Sequence, residues 1–365
     1  MKYVFVSYVF IKEFNDPELW LKRIDLYAGI QSELSADNEV ISIEQIDYKG
    51  SCISDGVQHE FIKLSKFERW VPLKLHRYIL SLKPDVVVIQ GLHFPFQVIQ
   101  LGLLKSKKVK IIAQHHAEQP FTGIKKYIQK IADLFVDAYL FAAKPMGLDW
   151  VDKGNLSSAR KIHEVMEVST HFHPMDKETA RLKTGVSDNP AFLWVGRLNE
   201  NKDPLNVVKA FLRFANINPE VQLYMIYQTD ELLTEIKKIL GASFHGDKVI
   251  LIGKVLHDDL IYWFNSVDFL ISGSHYEGSG TVVCEAMACG CVPVVTNIDS
   301  FKMITDNGKC GFLYEAGNED ALLNALVRTE AYNIQSKQKK CLDYFQSNLS
   351  FKAIASWIQE IAAGL

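Results

Sequence analysis

At 365 residues the chain is too long for one small core and fits two domains of ordinary size. Hydrophobic residues at 48% and charged residues at 23% are globular values, and a formal net charge of −3 argues against a generally basic nucleic-acid binder. Six cysteines (Cys52, Cys284, Cys289, Cys291, Cys310, Cys341) form no CxxC pair, which points to reduced structural thiols in a cytoplasmic protein. The Cys-x-Cys at 289 and 291 is an isolated metal hint, and no metal site is expected.

The N-terminal MKYVFVSYVFI has no small-residue cleavage site and runs straight into Lys12, Glu13 and Asp16, so it reads as a first strand rather than a signal segment. Strands are expected at 3–10, 40–46, 86–89 and 109–114, and helices near 17–34 and 71–82. Residues 86–104 are uncharged, yet Gln90, Gly91, His93, Pro95 and Gln97 break them into strand, loop and helix, so no transmembrane helix is expected. Such alternation means a parallel sheet covered by helices, with ligands outside the carboxyl ends of the strands. The first strand is not followed by GxGxxG, the next glycine being Gly29, so the dinucleotide fingerprint of a dehydrogenase is missing.

The strand KIIAQ ends in His115 and His116, and alternation along a strand would send the two imidazoles to opposite sides. Between 105 and 130 stand seven lysines (Lys105, Lys107, Lys108, Lys110, Lys125, Lys126, Lys130) against one acid, Glu118. Such a run marks either a solvated face or a patch that docks on anionic lipid. After a strand at 138–142, the segment EVMEVSTHFHPMDKETARLKTG leads out of the first domain. His171 and His173 within it have no carboxylate or cysteine pattern to complete a metal set. The expected division is 1–170, a linker over 171–188, a second domain over 189–346 and a closing helix within 347–365.

The second domain opens with the buried-strand run AFLWVG and the loop RLNENKDPL. Asp203 is the expected N-cap and Pro204 the first residue of a helix, which leaves Arg197 and Lys202 in the strand-to-helix loop. VQLYMIY, KVILIGKV and VDFLISG continue the alternation with helices. The next stretch, GSHYEGSGTVVCEAMACGC, delivers a glycine-rich loop into a nearly all-apolar helix. Glu285 is its only charged side chain from 280 to 289, so a buried lone carboxylate in need of donors is expected there. Eight positions earlier stands Glu277. Gly278, Ser279, Gly280 and Thr281 follow it, at a helix N-terminus suited to an anion and above all to phosphate.

Two glutamates separated by seven residues, followed by AMACG and VPVV, resemble the donor-site signature of retaining glycosyltransferase family four, which has the GT-B fold. The likeness extends upstream through VDFLISGSHYEGSG and downstream through TDNGKCGFLYEAGNEDALLNAL. It is dense in the second domain and sparse in the first, where FIKEFNDPELW stands in place of the paired glycines many members carry. It implies an α/β, GT-B architecture of two Rossmann-like domains facing a central cleft, with the last helix crossing back onto the first. By the same resemblance Glu277 orients the donor sugar, Glu285 holds the ribose, and the pattern Gly196-Arg197, four residues, Lys202 binds the diphosphate. His116 (or His115) contacts the sugar, and the turn at Gly253, Lys254 and Val255 holds the nucleobase.

The expected function is glycosyl transfer from a nucleoside-diphosphate sugar to a glycan or lipid-linked acceptor. Retention of configuration is what the resemblance implies, and no cofactor is expected beyond the donor substrate. Arg197, Lys202 and the helix start at Gly280 are positive groups aimed at the departing diphosphate, and no DxD motif suggests a metal in that role. Location is cytoplasmic, or peripheral at the cytoplasmic face of a membrane. One rival is a non-catalytic nucleotide-sugar-binding subunit of a polysaccharide assembly complex, which would need no His116. Another is a nucleotide-sugar epimerase on the same two-domain plan.

Overall fold

The structure is a computed structural model that describes residues 1–187 and 190–365. It divides into two compact units, Met1–Ser169 with Ser350–Leu365, and Thr170–Leu349.

The strands of the first unit are β1 (Lys2–Ser7), β2 (Glu39–Glu44), β3 (Gly50–Ser54), β4 (Val57–Phe61), β5 (Val86–Gln90), β6 (Lys110–Gln114), β7 (Ala138–Phe141) and β8 (Ile162–Glu164). They form one sheet in the order β3-β4-β2-β1-β5-β6-β7-β8, parallel except for β3 against β4. Its helices are α1 (Pro17–Arg23), α2 (Asp25–Ser35), α3 (Lys66–Trp70), α4 (Leu73–Ser81), α5 (Pro95–Leu104), α6 (Gly123–Asp133) and α7 (Lys144–Asp152). The central strands read as unbroken apolar runs because helices cover both faces of the sheet, and Val4, Val87, Ile89 and Ile111 are fully buried.

Two local expectations differ from what is seen. The helix expected over 17–34 breaks at Ile24, whose φ/ψ of −100°/11° is not helical, so Asp16 caps α1 and α2 starts afresh. The β3–β4 hairpin was not anticipated. Its turn is Asp55-Gly56, both at positive φ (48° and 79°), the geometry that matches the twist of a two-residue hairpin.

The second unit contains α8 (Lys177–Thr184), β9 (Ala191–Gly196), α9 (Pro204–Ile217), β10 (Gln222–Tyr227), α10 (Leu233–Ala242), β11 (Val249–Gly253), α11 (Leu260–Ser266) and β12 (Phe269–Ser272). It continues with α12 (Thr281–Ala288), β13 (Val292–Thr296), α13 (Asp299–Ile304), β14 (Phe312–Tyr314), α14 (Glu319–Glu330) and α15 (Ile334–Tyr344). The sheet order is β11-β10-β9-β12-β13-β14, all parallel.

The stretch expected as a linker over 171–188 is, in its described part, partly helical and belongs to the second unit. Asp176 caps α8 by accepting from Thr179 N (2.8 Å). Lys177 Nζ meets Asp268 Oδ1 (2.6 Å), and Arg181 Nε donates to Ser266 O (3.1 Å). These bonds, with Ala180 buried, fix the helix on the end of α11. The expected boundary between 188 and 189 lies outside the described residues.

The final helix, α16 (Phe351–Gly364), packs on α2 in the first unit. Phe351 lies so close to Gly29 that a Cβ there would stand 2.6 Å from its ring. Among the described residues, no helix is long and apolar enough to cross a membrane.

Candidate functional site

In the second sheet β9 and β12 are neighbours, with β10 and β11 on one side and β13 and β14 on the other. In open parallel sheets this reversal opens a crevice outside the strand ends, where ligands bind. The loop after β9 carries Arg197 and Lys202, and the loop after β12 carries Glu277. Asn201 fastens the two loops: its Nδ2 donates to Tyr276 O (3.1 Å), its Oδ1 accepts from Tyr276 N (3.1 Å), and its carbonyl accepts from His275 N (2.9 Å). Gly273 permits the approach, since a Cβ there would stand 3.1 Å from Lys202 O.

The fastening brings Lys202 Nζ against Glu277 Oε1 as an ion pair. Both side chains keep contact with solvent, 24% and 17% exposed, so an incoming ligand can reach them. Arg197 is exposed, and among the described residues no side-chain partner engages it. Asp203 caps α9 from the left-handed region (φ 46°, ψ 51°), accepting from Asn206 N, with Pro204 as the first helical residue.

The loop 278–280 enters α12 through Gly280 at φ 59°, where a Cβ would stand 2.8 Å from the Phe301 ring. Gly280 rather than Ser279 is the N-cap residue, and among the described residues no side-chain cap hydrogen bond closes the helix start. Uncapped first-turn N–H groups and the helix dipole make this end an electropositive spot beside Gly278, Ser279 and Thr281.

Glu285, one turn further, is 1% exposed. It is not without a protein donor, as the sequence had suggested. His257 Nε2 donates to its Oε1 at 2.6 Å, from a turn after β11, and the imidazole stacks on Phe172 at 5.3 Å. Burial lifts the Glu285 carboxyl above the usual range, and the His257 hydrogen bond offsets part of that rise. Gly253, at φ 86°, starts the turn with exposed Lys254 and half-buried Val255 that leads to His257.

The first unit has its own reversal between β1 and β5, and a cavity of about 230 Å³ lies at these strand ends. Ile24, Tyr27 and Phe94 supply apolar wall. Gln31, 4% exposed, contributes an Oε1 that has no hydrogen-bond partner among the described residues. Glu44 is also buried there, its carboxyl raised by burial and held by Ser42 Oγ (2.7 Å) and Trp20 Nε1 (3.2 Å).

His116 lines this cavity and His115 does not. Both follow the end of β6 in a tight turn with Ala117 at φ 66°, so strand alternation does not decide their directions. His115 is buried against Phe141 (4.6 Å between rings). Its Nε2 donates to Glu118 O (2.8 Å) and its Nδ1 accepts from Ala117 N (3.3 Å), the pattern of a neutral imidazole whose pKa burial lowers. His116 has acceptors at both ring nitrogens: Nε2 donates to Gln90 Oε1 (2.7 Å) and Nδ1 faces Glu167 Oε2. Burial pulls its pKa down, but the Glu167 carboxylate outweighs that and leaves it raised. Glu118 holds the turn by accepting from Leu92 N and His116 N, each at 2.6 Å.

Residues 176–343 match the model of the family "Glycosyl transferases group 1". This part of the chain is a group 1 glycosyl transferase domain. The D-inositol 3-phosphate glycosyltransferase of Arthrobacter sp. (strain FB24) is 27% identical over 150 residues, 40% of this chain and 36% of that protein. The UDP-Gal:alpha-D-GlcNAc-diphosphoundecaprenol alpha-1,3-galactosyltransferase of Escherichia coli is 29% identical over 152 residues, 40% of this chain and 38% of that protein. The matched stretch thus spans well under half the length of these two curated relatives.

Likeness to solved structures extends over both units. A glycosyltransferase from Rickettsia africae superposes with a TM-score of 0.75 at 16% identity, covering 100% of this chain and 97% of that one. Anabaena HepE in complex with UDP and glucose superposes with a TM-score of 0.70 at 15% identity, covering 100% of both chains. The chain has the GT-B fold.

Within the group 1 glycosyl transferase domain, Lys202, Glu277 and the start of α12 come together through adjacent strand ends, while Glu285 and the 253–255 turn are joined by His257. Sequence reading missed His257 and, in the first unit, Glu167 and Gln90. All three meet their partners through topology rather than through local spacing.

Proposed function

We propose that the chain transfers a glycosyl group from a nucleoside-diphosphate sugar, with retention of configuration and without a metal, to a glycan or lipid-linked acceptor. The observation that carries this reading is the pairing of Lys202 with Glu277 beside the uncapped start of α12. A cation, an acid and open backbone donors then stand where a phosphorylated sugar can meet all three. An arriving diphosphate competes with Glu277 for Lys202, and the freed carboxylate is left to accept from sugar hydroxyls. As the glycosidic bond breaks, charge gathers on the diphosphate, and Lys202, Arg197 and the α12 dipole are fixed positive groups facing it.

Glu285 is assigned to the ribose hydroxyls and the turn at Gly253, Lys254 and Val255 to the base. His116 is assigned to the transferred sugar. The cavity beside it, with apolar walls and the open Gln31 oxygen, suits part of an acceptor. A lipid-linked acceptor and peripheral contact with an anionic membrane belong to the same reading.

The test is a thermal-shift panel of UDP, GDP, ADP and their sugars, followed by product analysis with the best donor and with EDTA. A ligand at 100 times its dissociation constant adds about 2.7 kcal/mol, so one nucleotide series is expected to stand out. No shift with any of them, an inverted product, or activity abolished by EDTA would each overturn part of the proposal. Persistent binding without product in any acceptor extract would favour the non-catalytic subunit instead.

A further inference from the structure

We propose that His257 is a positioning residue for the donor: it holds the Glu285 carboxylate by one oxygen and leaves the other to accept from a ribose hydroxyl of a nucleoside diphosphate. The proposal rests on the assignment of Glu285 to the ribose and adds the residue through which that acid acts. The groups of the second unit stand in the same order as the groups of such a ligand. Gly280 and Thr281 open α12 with backbone N–H groups suited to phosphate, and Glu285 follows one turn after Thr281, about 6 Å along the axis at about 1.5 Å per residue. A ribose lies between phosphate and base. The turn at 253–255 is assigned to the base, and His257 comes four positions after Gly253. Its Nε2 donates to Glu285 Oε1 at 2.6 Å, so one hydrogen bond ties the base side to the ribose side across 28 positions of chain.

The imidazole is built into its place. One face stacks on Phe172 (5.3 Å between centroids, 28° between planes), and Phe172 lies against buried Phe264 of α11 at 6.1 Å. Asn265 of α11 secures the chain just after Phe172, donating to His173 O (3.1 Å) and accepting from Met175 N (2.8 Å). The His257 side chain is nonetheless 52% exposed, while the Glu285 side chain is 2% exposed. A half-exposed donor thus serves a carboxylate that solvent scarcely reaches. Burial raises the Glu285 carboxyl, and the His257 hydrogen bond opposes that rise. With the imidazole removed, burial acts alone and favours the proton-bearing acid. A neutral carboxyl accepts from a hydroxyl with roughly half the strength of a carboxylate.

The test measures affinities by calorimetry for UDP, GDP and ADP, each beside its 2′-deoxy and 3′-deoxy forms, in the wild type and three variants. His257→Phe keeps a ring for Phe172 and removes the N–H, His257→Ala removes both, and His257→Gln keeps an amide N–H. For the diphosphate that binds, loss of one hydroxyl should weaken wild-type binding about tenfold or more, as for a hydrogen bond to a charged group. In His257→Phe and His257→Ala the ribo form should bind more weakly, and the ribo-to-deoxy ratio should shrink to about threefold or less. His257→Gln should restore part of the ratio. A purely structural role would weaken ribo and deoxy forms alike and leave the ratio unchanged, which overturns the proposal. Tighter binding by His257→Ala also overturns it, since the imidazole would then compete with the ligand for Glu285. A wild type that binds a diphosphate with no dependence on either hydroxyl overturns the assignment of Glu285 and the proposal with it. One that binds none of the diphosphates overturns the donor reading as a whole.

Discussion

The two units place their chemistry at the same topological spot, a strand-order reversal, and fill it differently. Between β1 and β5 the groups are enclosed: Glu44 and Glu167 are buried, His116 is gripped by Glu167 and Gln90, and the walls are apolar. Between β9 and β12 they stand in loops open to solvent: Arg197 is exposed, the Lys202–Glu277 pair is partly exposed, and the start of α12 has no cap. An enclosed, pre-paired site selects by shape and by the few hydrogen bonds left over. An open site of fixed charges suits a phosphorylated ligand that arrives hydrated and is neutralised on arrival.

The strongest way to break this contrast is at Lys202. Lys202→Ala should cut turnover by about a hundredfold to a thousandfold, as removal of one transition-state donor does, with a smaller change in donor affinity. Steady-state kinetics beside calorimetric donor binding would show the asymmetry, and equal losses in both would return Lys202 to ordinary ground-state binding.

Glu285 sharpens the comparison because it is a buried group within the open site. Glu285→Gln should weaken nucleoside-diphosphate binding by about 1.5 to 3 kcal/mol, the range for a hydrogen bond to a charged group. If calorimetry finds unchanged affinity in a folded variant, the carboxylate serves only to hold His257.

Gly280→Ala tests the loop that opens α12. A side chain at φ 59° and 2.8 Å from Phe301 should lower stability by about 1 to 3 kcal/mol, read as a lower denaturant midpoint. An unchanged midpoint would mean that the entry to α12 tolerates a Cβ, and the close approach is not a constraint.

The smallest effect belongs to the enclosed site. Because His116 has its pKa raised in the fold, its contribution to stability is complete below the ordinary histidine value of about 6.5 and is lost as pH rises through the raised one. The melting temperature of the wild type should therefore carry a decline as pH rises above about 6.5 that Glu167→Gln removes. Parallel profiles for the two proteins would show that Glu167 does not hold the proton on His116.

Most of the sheet framework was legible because parallel strands covered on both faces are written as continuous apolar runs, as in VVVIQ and VPVVT. The β3 strand alternates exposed and half-buried positions on a sheet edge and carries no such run, although the Asp55-Gly56 turn was a readable signal. At the candidate site, Arg197, Lys202 and Glu277 were marked by their place in loops after strands together with the family resemblance. The partners of Glu285 and His116 were not. His257 meets Glu285 across 28 positions, and Glu167 meets His116 across a stretch taken for an exit from the domain. The direction of His116 is set by a left-handed Ala117, a conformation that no residue type announces.

The position of α16 has a consequence for synthesis. The first unit is discontinuous, and the ring of Phe351 that covers Gly29 on α2 is encoded after the whole of the second unit. At about 5–20 residues per second, translation of residues 170–349 delays that cover by on the order of 10 to 40 s. During this interval the Gly29 face of α2 stands without its partner. Completion of the N-terminal unit is thereby tied to arrival of the C-terminal helix, so premature termination anywhere in the second unit leaves both units unfinished.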